Sequence, residues 1–150
     1  MDNSLKALGL MSGTSMDGID ASIIESDGED NLSIIEEKFV PYSDDFARRL
    51  SDYIDKVEDR DQILNTKKEY LNLEKELTIF HADISLDIIE KSKKNIDLVG
   101  FHGQTIIHKP NLGYTVQMGD SNLLSKLLEA KVISDFRIND IINGGEGAPL

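Results

Sequence analysis

The sequence predicts a single α/β domain built on a mixed sheet, with three antiparallel strands followed by parallel strands and crossover helices. Three strand-like segments stand at the beginning of the chain. After them, segments with helical periodicity alternate with apolar strand-like segments. A strand, a helix and a second strand in that order favour parallel pairing through a right-handed crossover. The 150 residues suffice for one domain with its own hydrophobic core.

The opening strands are predicted at residues 6–12, 19–25 and 32–40. The second of them alternates apolar and polar side chains, which is typical of a strand with one buried face. Residues 27–30 read Asp-Gly-Glu-Asp, and this composition favours a hairpin loop. We therefore expect the three strands to be adjacent and antiparallel.

Helical periodicity follows the third strand. Phe46, Leu50 and Ile54 recur every fourth residue, and Ser43 before them is a suitable N-cap. A longer apolar stripe then recurs at steps of three and four, which is too short for a coiled coil and predicts a helix packed on the sheet. Its members are Tyr70, Leu73, Leu77, Phe80 and Ile84. Residues 88–89 either extend this helix or belong to a following one.

The remaining strands are predicted at residues 97–101, 114–118 and 131–133. Between the last two of them, Asp120 or Ser121 caps a helix that carries four leucines. The second half of the chain therefore has the order expected of strands that pair in parallel.

Charge and composition argue against several classes of function. The chain carries 16 basic and 28 acidic residues, a net charge of −12, which opposes binding to nucleic acids and to anionic membranes. No apolar run is long enough to cross a bilayer, and the N-terminus lacks the features of a secretion signal. Cysteine is absent, which removes disulfides and thiol chemistry. These observations predict a cytoplasmic protein without nucleic-acid or membrane partners.

The loop between the first two strands has the composition of a phosphate-binding site. Its glycines let the backbone approach a ligand closely, and successive backbone N–H groups in such a turn can bind an anion. Hydroxyl groups add donors, and Asp17 offers a carboxylate to Mg²⁺ or to its waters. The predicted nucleotide-binding residues are Gly13, Thr14, Ser15, Met16, Asp17, Gly18, Ile19 and Asp20.

Three other interpretations compete for this loop. Gly13 and Gly18 have the spacing of a Walker A loop, but Ile19 and Asp20 replace its Lys-Ser/Thr pair and a strand follows instead of a helix. A serine nucleophile would be expected within Gly-x-Ser-x-Gly, and neither Ser12 nor Ser15 has that context. A tight hairpin with polar tips is the purely structural alternative. The length of the turn and its many donors favour phosphate binding.

Four blocks of the sequence resemble, in the same order, the anhydro-N-acetylmuramic acid kinases. The blocks are residues 9–20, 102–105, 115–120 and 135–150. The resemblance implies the fold of the acetate and sugar kinase, Hsp70 and actin superfamily, whose domains have a ribonuclease-H-like core. This core consists of three antiparallel strands followed by parallel ones, in agreement with the strand order predicted above.

The resemblance also implies a reaction and its cofactors. Such kinases use ATP with Mg²⁺ and an amino-sugar substrate. Water opens the 1,6-anhydro ring at the anomeric carbon, and O6 of the sugar takes the γ-phosphoryl group. The products are N-acetylmuramic acid 6-phosphate and ADP, in the recycling of peptidoglycan. A kinase for another amino sugar and a non-catalytic actin-like nucleotide-binding module remain the alternatives, and the sequence leaves open whether the chain forms a homodimer.

The chain departs from the family in two ways. In the family, the general base is an aspartate of a later Asp-x-Gly-Pro-Gly-Asn segment, which residues 1–150 do not contain. We therefore expect no catalytic base within this chain and place the general base beyond Leu150, the last residue. We interpret the chain as a truncated N-terminal domain without the second domain that closes over the nucleotide. In addition, Glu146 stands where most relatives have glutamine.

The resemblance points to four substrate-binding residues: His102, Gln104, Arg137 and Asp140. His102 is expected directly after the fourth strand, where ligands bind in open α/β sheets. The alternative is that the first two residues only serve the backbone of the strand and its loop. No third ligand accompanies His102 and His108 at a suitable spacing, so zinc is not expected.

Arg137 is the predicted contact for the lactyl carboxylate of a muramic-type sugar. An arginine binds a carboxylate through two parallel hydrogen bonds, which makes it well suited to this group. The alternative is an internal ion pair of Arg137 with Asp135 or Asp140 that fixes the loop.

Overall fold

The computed structural model describes residues 4–147 as a mixed α/β fold with six strands in one sheet. The strands are β1 (Leu5–Ser12), β2 (Gly18–Ser26), β3 (Leu32–Pro41), β4 (Leu98–Lys109), β5 (Tyr114–Met118) and β6 (Val132–Ile133). The helices are α1 (Asp44–Lys56), α2 (Arg60–Asn65), α3 (Lys67–Ser92), α4 (Ser121–Leu128) and α5 (Phe136–Ile142).

The end of the fourth block of family resemblance lies outside the described residues. It comprises residues 148–150, including Leu150. The expectation that the general base lies beyond Leu150 therefore concerns a part of the protein that the structure does not describe, and it stays a prediction. Within residues 4–147, the structure can be compared with the other predicted site residues.

The first three strands form the predicted antiparallel unit. β1 pairs with β2, and β2 pairs with β3. The hairpin between β2 and β3 is closed by Asp27, whose carboxylate accepts hydrogen bonds from the backbone N–H groups of Glu29 and Asn31 at 3.0 and 3.1 Å. This use of a short acidic side chain to cap its own turn is the reason such residues favour loops.

The predicted helices are present, and a short one between them was not predicted. Ser43 caps α1, since its Oγ accepts a hydrogen bond from the backbone N–H of Phe46 at 3.3 Å. The longer stripe lies on α3, which spans 26 residues and includes Ile88 and Ile89. Helix α3 ends where Lys93 adopts a left-handed conformation.

Strand β4 is longer than predicted, and this corrects two expectations. It runs for 12 residues to Lys109, so His102 and Gln104 lie within the strand rather than after it. Strand β5 pairs antiparallel with β4, whereas a parallel partner was predicted. The connection between them is a 3₁₀ turn at Pro110–Leu112 followed by Gly113, and a parallel crossover needs a dozen or more residues.

The parallel part of the sheet consists of β1, β4 and β6. β1 and β6 both pair parallel with β4, and the sheet order is β3-β2-β1-β4-β5, with β6 also beside β4. Helix α4 precedes β6 and is capped by Asp120, whose Oδ1 accepts from the backbone N–H of Leu123 at 2.9 Å. Helix α5 follows β6 and was not predicted.

The core lies between the sheet and helices α1, α3 and α4. Leu8 and Leu10 of β1 are buried there, whereas Gly9 and Met11 between and after them are exposed. The opposite face of the sheet carries an open trough of about 680 Å³ with Phe39 and Phe136 on its walls. Within residues 4–147, no helix combines the length and the apolar character needed to cross a bilayer.

Candidate functional site

The loop between β1 and β2 presents polar groups to solvent at the end of β1. A turn closes when the backbone N–H of Met16 donates to the carbonyl of Gly13 at 3.2 Å. Met16 adopts a left-handed conformation with φ of 53°. Thr14, Ser15 and Asp17 are exposed, and Ser15 Oγ donates to Asp17 Oδ1 at 2.6 Å. Hydroxyl, carboxylate and backbone groups therefore meet within five residues, as the sequence predicts for a phosphate loop.

The far end of the loop is fixed by the β2–β3 pair. A Cβ at Gly18 would lie 2.4 Å from the carbonyl oxygen of Val40 and 2.7 Å from the ring of Phe39, so only glycine fits. The carbonyl of Asp17 accepts from the backbone N–H of Tyr42 at 2.9 Å. Ile19 is buried in the core beneath the loop. Gly18 and Ile19 thus hold the loop in place, and their contact with a nucleotide stays a prediction.

Asp20 lies on a different surface from the rest of the predicted set. It is exposed on β2 and lines the trough on the open face of the sheet, together with Met11 and Phe39. The structure therefore separates it from Asp17, which points its carboxylate towards Ser15.

A chain of buried hydrogen bonds lies beneath the loop. Ser12 Oγ is 2.5 Å from Tyr42 Oη and donates to Gln104 Oε1 at 2.6 Å. Gln104 Nε2 in turn donates to the carbonyl of Gly13 at 3.1 Å. Burial raises the pKa of Tyr42 to about 12, which keeps its hydroxyl protonated at physiological pH. The predicted sugar-binding residue Gln104 is thus occupied by the loop, and a direct contact with sugar stays a prediction.

An irregularity in β4 separates His102 from Gln104. Leu10 pairs with Phe101, but Ser12 pairs with Gln104, so β4 has one extra residue at this point. Gly103 adopts a φ of 70° within the irregularity, and a Cβ there would lie 2.4 Å from the carbonyl oxygen of Met118. A bulge of this kind re-aims side chains. As a result His102 lines the open face, while Gln104 is buried under the loop.

His102 is held neutral between two partners. Its Nδ1–H donates to the carbonyl of Gly103 at 2.7 Å, and its Nε2 accepts from Arg137 Nε at 2.6 Å. Burial lowers the pKa of His102, and the positive charge of Arg137 lowers it further. The sequence predicted both residues as substrate contacts, and the structure brings them together.

Arg137 has no acidic partner in the described part of the chain. No carboxylate of residues 4–147 lies within 4.0 Å of its nitrogens. The internal ion pair with Asp135 or Asp140, the alternative role of this arginine, is therefore not formed there. Arg137 Nη1 donates instead to the carbonyl of Gly147 at 3.1 Å.

Asp140 shapes the glycine-rich loop that follows α5. Its Oδ2 accepts from the backbone N–H of Gly147 at 2.8 Å, and its carbonyl accepts from Gly145 at 2.9 Å. A Cβ at Gly145 would lie 2.1 Å from the same carboxylate oxygen. The carboxylate can therefore take this position only because residue 145 has no side chain. The loop in turn gives Arg137 its backbone acceptor. In this structure Asp140 is thus a loop-forming residue, and its direct contact with substrate stays a prediction.

The described residues hold no cluster of three or more potential metal ligands. Mg²⁺ in kinases usually keeps several waters and is held by one or two carboxylates together with the phosphates of the substrate. A single exposed carboxylate beside the loop, that of Asp17, fits such an ion. A role of Asp17 as a ligand of Mg²⁺ stays a prediction.

Two parts of the site were not predicted from the sequence. Tyr42 belongs to no motif. It reaches Ser12 and Asp17 only because the hairpin of β2 and β3 returns the end of β3 to the loop. Helix α5, which carries both Arg137 and Asp140, was not predicted either. The apolar residues of α5 do recur with helical spacing, and this is the signal that could have revealed it.

The loop follows β1, and His102, which holds Arg137, lies at the irregularity of β4 beside the last residues of β1. A family model described as anhydro-N-acetylmuramic acid kinase matches residues 5–150. The chain belongs to the anhydro-N-acetylmuramic acid kinase family. The matched residues include the loop, the bulged strand and α5.

Curated relatives carry the same name. The chain is 47% identical over 150 residues to an anhydro-N-acetylmuramic acid kinase of Pelagibacter ubique, with all of this chain and 40% of the relative covered. It is 37% identical over 153 residues to that of Rhizobium etli, covering all of this chain and 41% of the relative. For Gluconobacter oxydans the identity is 41% over 146 residues, covering 96% of this chain and 39% of the relative. The chain thus spans about two fifths of the length of these kinases.

Proposed function

We propose that this chain is the N-terminal part of an ATP-dependent kinase that acts on 1,6-anhydro-N-acetylmuramic acid. One observation carries the proposal furthest. A loop rich in hydrogen-bond donors for phosphate lies at the same end of β1 as an arginine that has no carboxylate partner in the described chain. The first feature suits the phosphates of a nucleotide, and the second suits a substrate carboxylate. An anhydromuramic sugar carries such a carboxylate on its lactyl group, and the family name agrees with this substrate.

The proposed fold is the ribonuclease-H-like domain of the actin and sugar kinase superfamily. Three antiparallel strands, β1 to β3, are followed by β4 and β6 in parallel, which supports this assignment. The hairpin of β4 and β5 is then an addition to the core order. We further propose a cytoplasmic location, which the acidic composition and the absence of cysteine support.

In the proposed reaction, water forms a bond to the anomeric carbon while the bond from that carbon to O6 breaks. O6 forms a bond to the γ-phosphorus, and ADP leaves with the electrons of the broken phosphoanhydride bond. The backbone N–H groups of Thr14, Ser15 and Asp17 would bind the phosphates, since that of Met16 already donates to the Gly13 carbonyl. Arg137 would orient the sugar by its carboxylate. Mg²⁺, held in part by Asp17, would neutralise charge on the phosphates. The base that accepts the proton of water is expected beyond Leu150.

Measurement of ADP release by the full-length protein tests this proposal. Three sugars should be compared: anhydro-N-acetylmuramic acid, N-acetylmuramic acid and N-acetylglucosamine. We expect turnover with the first only, because the third lacks the carboxylate and the second lacks the anhydro ring. Preferred turnover of N-acetylglucosamine would mean a different amino-sugar kinase. ADP release that no sugar stimulates would mean a nucleotide-binding module.

Asp17 provides a sharper test of the nucleotide side. In the full-length enzyme, Asp17→Asn should lower kcat more than it raises KM for the sugar, because the lost carboxylate serves Mg²⁺ and not the sugar. Asp30→Asn is the matched control, since Asp30 is exposed in the hairpin at the other end of β2. A normal kcat for Asp17→Asn at saturating Mg-ATP would exclude the proposed role.

A further inference from the structure

Gln104 is a buried amide whose two ends bind two consecutive residues, the last residue of β1 and the first residue of the loop that follows it. Only 1% of its surface is exposed. Its Oε1 accepts from Ser12 Oγ at 2.6 Å, and its Nε2 donates to the carbonyl of Gly13 at 3.1 Å. Both contacts join residues far apart in the sequence, by 92 and 91 positions respectively. The amide is turned to these partners and away from solvent, so a role that passes through them can be tested.

We propose that Gln104 is a positioning residue that aims the backbone N–H of Thr14 at the phosphates of the nucleotide. The inference rests on the function proposed above and adds a residue to its nucleotide side. It depends on the orientation of one peptide group, the one between Gly13 and Thr14.

A trans peptide group is planar, and its C=O and N–H bonds point in opposite directions. Gln104 lies in the interior beneath the loop and holds the Gly13 carbonyl by a hydrogen bond. The N–H of the same peptide group, which belongs to Thr14, must then point away from the interior, towards the exposed side of the loop. The N–H of Met16 also donates to the Gly13 carbonyl, at 3.2 Å, and supports the same orientation.

In the series of hydrogen bonds that links Tyr42, Ser12, Gln104 and Gly13, the donor and the acceptor of each bond can be assigned. Oε1 of an amide can only accept, so Ser12 donates its hydroxyl proton to Gln104. Ser12 Oγ then accepts from Tyr42 Oη, 2.5 Å away. With the proton of Ser12 committed in this way, the amide is fixed with its Nε2 towards Gly13. Glutamate at position 104 would accept from Ser12 equally well but, when ionised, would repel the Gly13 carbonyl.

The chain offers a matched control for this substitution. Gln117 lies on β5, the neighbouring strand, and its Nε2 donates to the hydroxyls of Thr105 and Thr115 at 3.3 and 2.8 Å. It is partly buried, and both of these partners lie on β4 and β5 rather than in the loop. Gln117→Glu therefore repeats the chemical change in the same sheet without touching the Gly13 carbonyl.

The experiment measures KM for Mg-ATP and for the sugar in the full-length enzyme, for wild type, Gln104→Glu, Gln104→Met and Gln117→Glu. We expect KM for Mg-ATP to rise about tenfold or more in both Gln104 variants, the size of one lost hydrogen bond to a charged group. The KM for the sugar should change less than about twofold, because the sugar makes no contact with this loop in the proposal. A protonated glutamate could still donate to Gly13, so the defect of Gln104→Glu should grow as the pH rises from acid to alkaline. The defect of Gln104→Met should stay constant relative to wild type.

Three outcomes would overturn the proposal. Equal changes in both KM values, or a lowered melting temperature with unchanged KM values, would show that Gln104 only supports the fold. A similar rise in KM for Mg-ATP in Gln117→Glu would show that any charge in this sheet has the effect. If the wild-type enzyme does not use Mg-ATP, the proposed function itself is wrong. If the wild type is active and the Gln104 variants have normal KM values, only the role proposed for Gln104 is wrong.

Discussion

Arg137 carries a charge that the rest of the described chain does not neutralise. It donates Nε to neutral His102 and Nη1 to a backbone carbonyl, and neither acceptor carries a charge. A partly buried cation with only neutral partners favours an anionic ligand, because charge-assisted hydrogen bonds are stronger than neutral ones. His102 thus orients the guanidinium without cancelling its charge.

The corresponding prediction concerns the sugar carboxylate. Arg137→Ala should weaken binding of the muramic-type sugar by about 1.5–3 kcal/mol, the typical contribution of a hydrogen bond to a charged group. An analogue without the lactyl carboxylate should bind equally well to both proteins. Arg48→Ala is a suitable control, since this exposed arginine pairs only with Asp45 in the described chain. Isothermal titration calorimetry with both sugars measures the difference, and equal losses for the two would indicate a purely structural role.

His81 is a second residue whose neutral form the fold requires. It lies fully buried on α3 against the ring of Phe101, and its Nε2 has no hydrogen-bond partner in the described part of the chain. Burial lowers the pKa of His81 to about 4 from an ordinary value of 6.5. The unfolded chain therefore binds more protons than the folded chain between these two values, and stability is lost as the pH falls below 6.5.

We expect the free energy of unfolding to fall by about 2 kcal/mol from near-neutral pH to about pH 5 from this residue alone. Urea unfolding at the two pH values measures it. His81→Leu should reduce the loss by that amount. An identical pH dependence in wild type and His81→Leu would show that His81 is not responsible.

Strand β4 connects most of the functional features at the level of elements. It pairs with β1 and β6 in its first half and with β5 in its second. Between the halves lies the irregularity at Gly103, which turns His102 to one face and places Gln104 under the loop. The proposed sugar side and the proposed nucleotide side thus depend on one local backbone distortion.

A pair of glycine substitutions tests this distortion. Gly103 and Gly113 both have a left-handed conformation, with φ of 70° and 73°, but only at Gly103 would a Cβ meet other atoms within 4 Å. Gly113→Ala should lower the free energy of unfolding by about 1–2 kcal/mol, because alanine disfavours the left-handed conformation. Gly103→Ala should lower the free energy of unfolding by at least about 2 kcal/mol more than Gly113→Ala does, because its Cβ would overlap the Met118 carbonyl. Urea unfolding of both variants gives the comparison, and equal costs would contradict the need for close approach at Gly103.

The elements with strong periodic patterns were predictable, and the short ones were not. α1 and α3 bury stripes of large side chains, so their helical spacing is visible in the sequence. α5 has only seven residues, and Asp135 before it has a φ of 65° and makes no side-chain capping bond, although its residue type favours the start of a helix. The parallel placement of β5 was wrong because the end predicted for β4 left about a dozen residues for a crossover. Pro110 and Gly113 were the evidence for a short turn.

Individual residues of the candidate site could be predicted from the sequence, but the contacts between them could not. Glycines and hydroxyls marked the loop, and their chemistry is local. The contact of Gln104 with Ser12 spans 92 positions and depends on the parallel pairing of two strands and a bulge. No spacing rule contains that information, and Tyr42 was missed for the same reason.

On the scale of the whole molecule, one face of the sheet is covered by helices and the other is largely open. Met11, Phe39 and Phe136 are 39%, 50% and 48% exposed on this open face, around the trough. Exposed apolar side chains that cluster in this way usually mark a surface that contacts other parts of a protein. The 150 residues, about two fifths of the length of the relatives, thus expose apolar area at the candidate site itself.

We therefore expect the isolated 150-residue chain to show no turnover of anhydro-N-acetylmuramic acid. A positioned general base typically contributes about 10²–10⁴-fold to the rate, and we expect that base beyond Leu150, as the family resemblance predicts. A site that remains open to water also stabilises the transferring phosphoryl group poorly. ADP production by the purified chain, beside the full-length enzyme, is the measurement. Sugar-dependent turnover near the full-length rate would place the base within these residues.

The pairing of β1 with β4 has a consequence for the order in which the chain folds. Lys6 and Asp97, which exchange hydrogen bonds at the start of this pairing, are 91 positions apart, whereas the β1–β2 and β2–β3 hairpins close locally. Closing a long segment costs more conformational entropy than closing a hairpin, so distant pairs form late. During synthesis, β1 to β3 can therefore form while the loop above β1 still lacks its support. The hydrogen bond from Gln104 to the Gly13 carbonyl forms only after Gln104 has left the ribosome and joined the sheet.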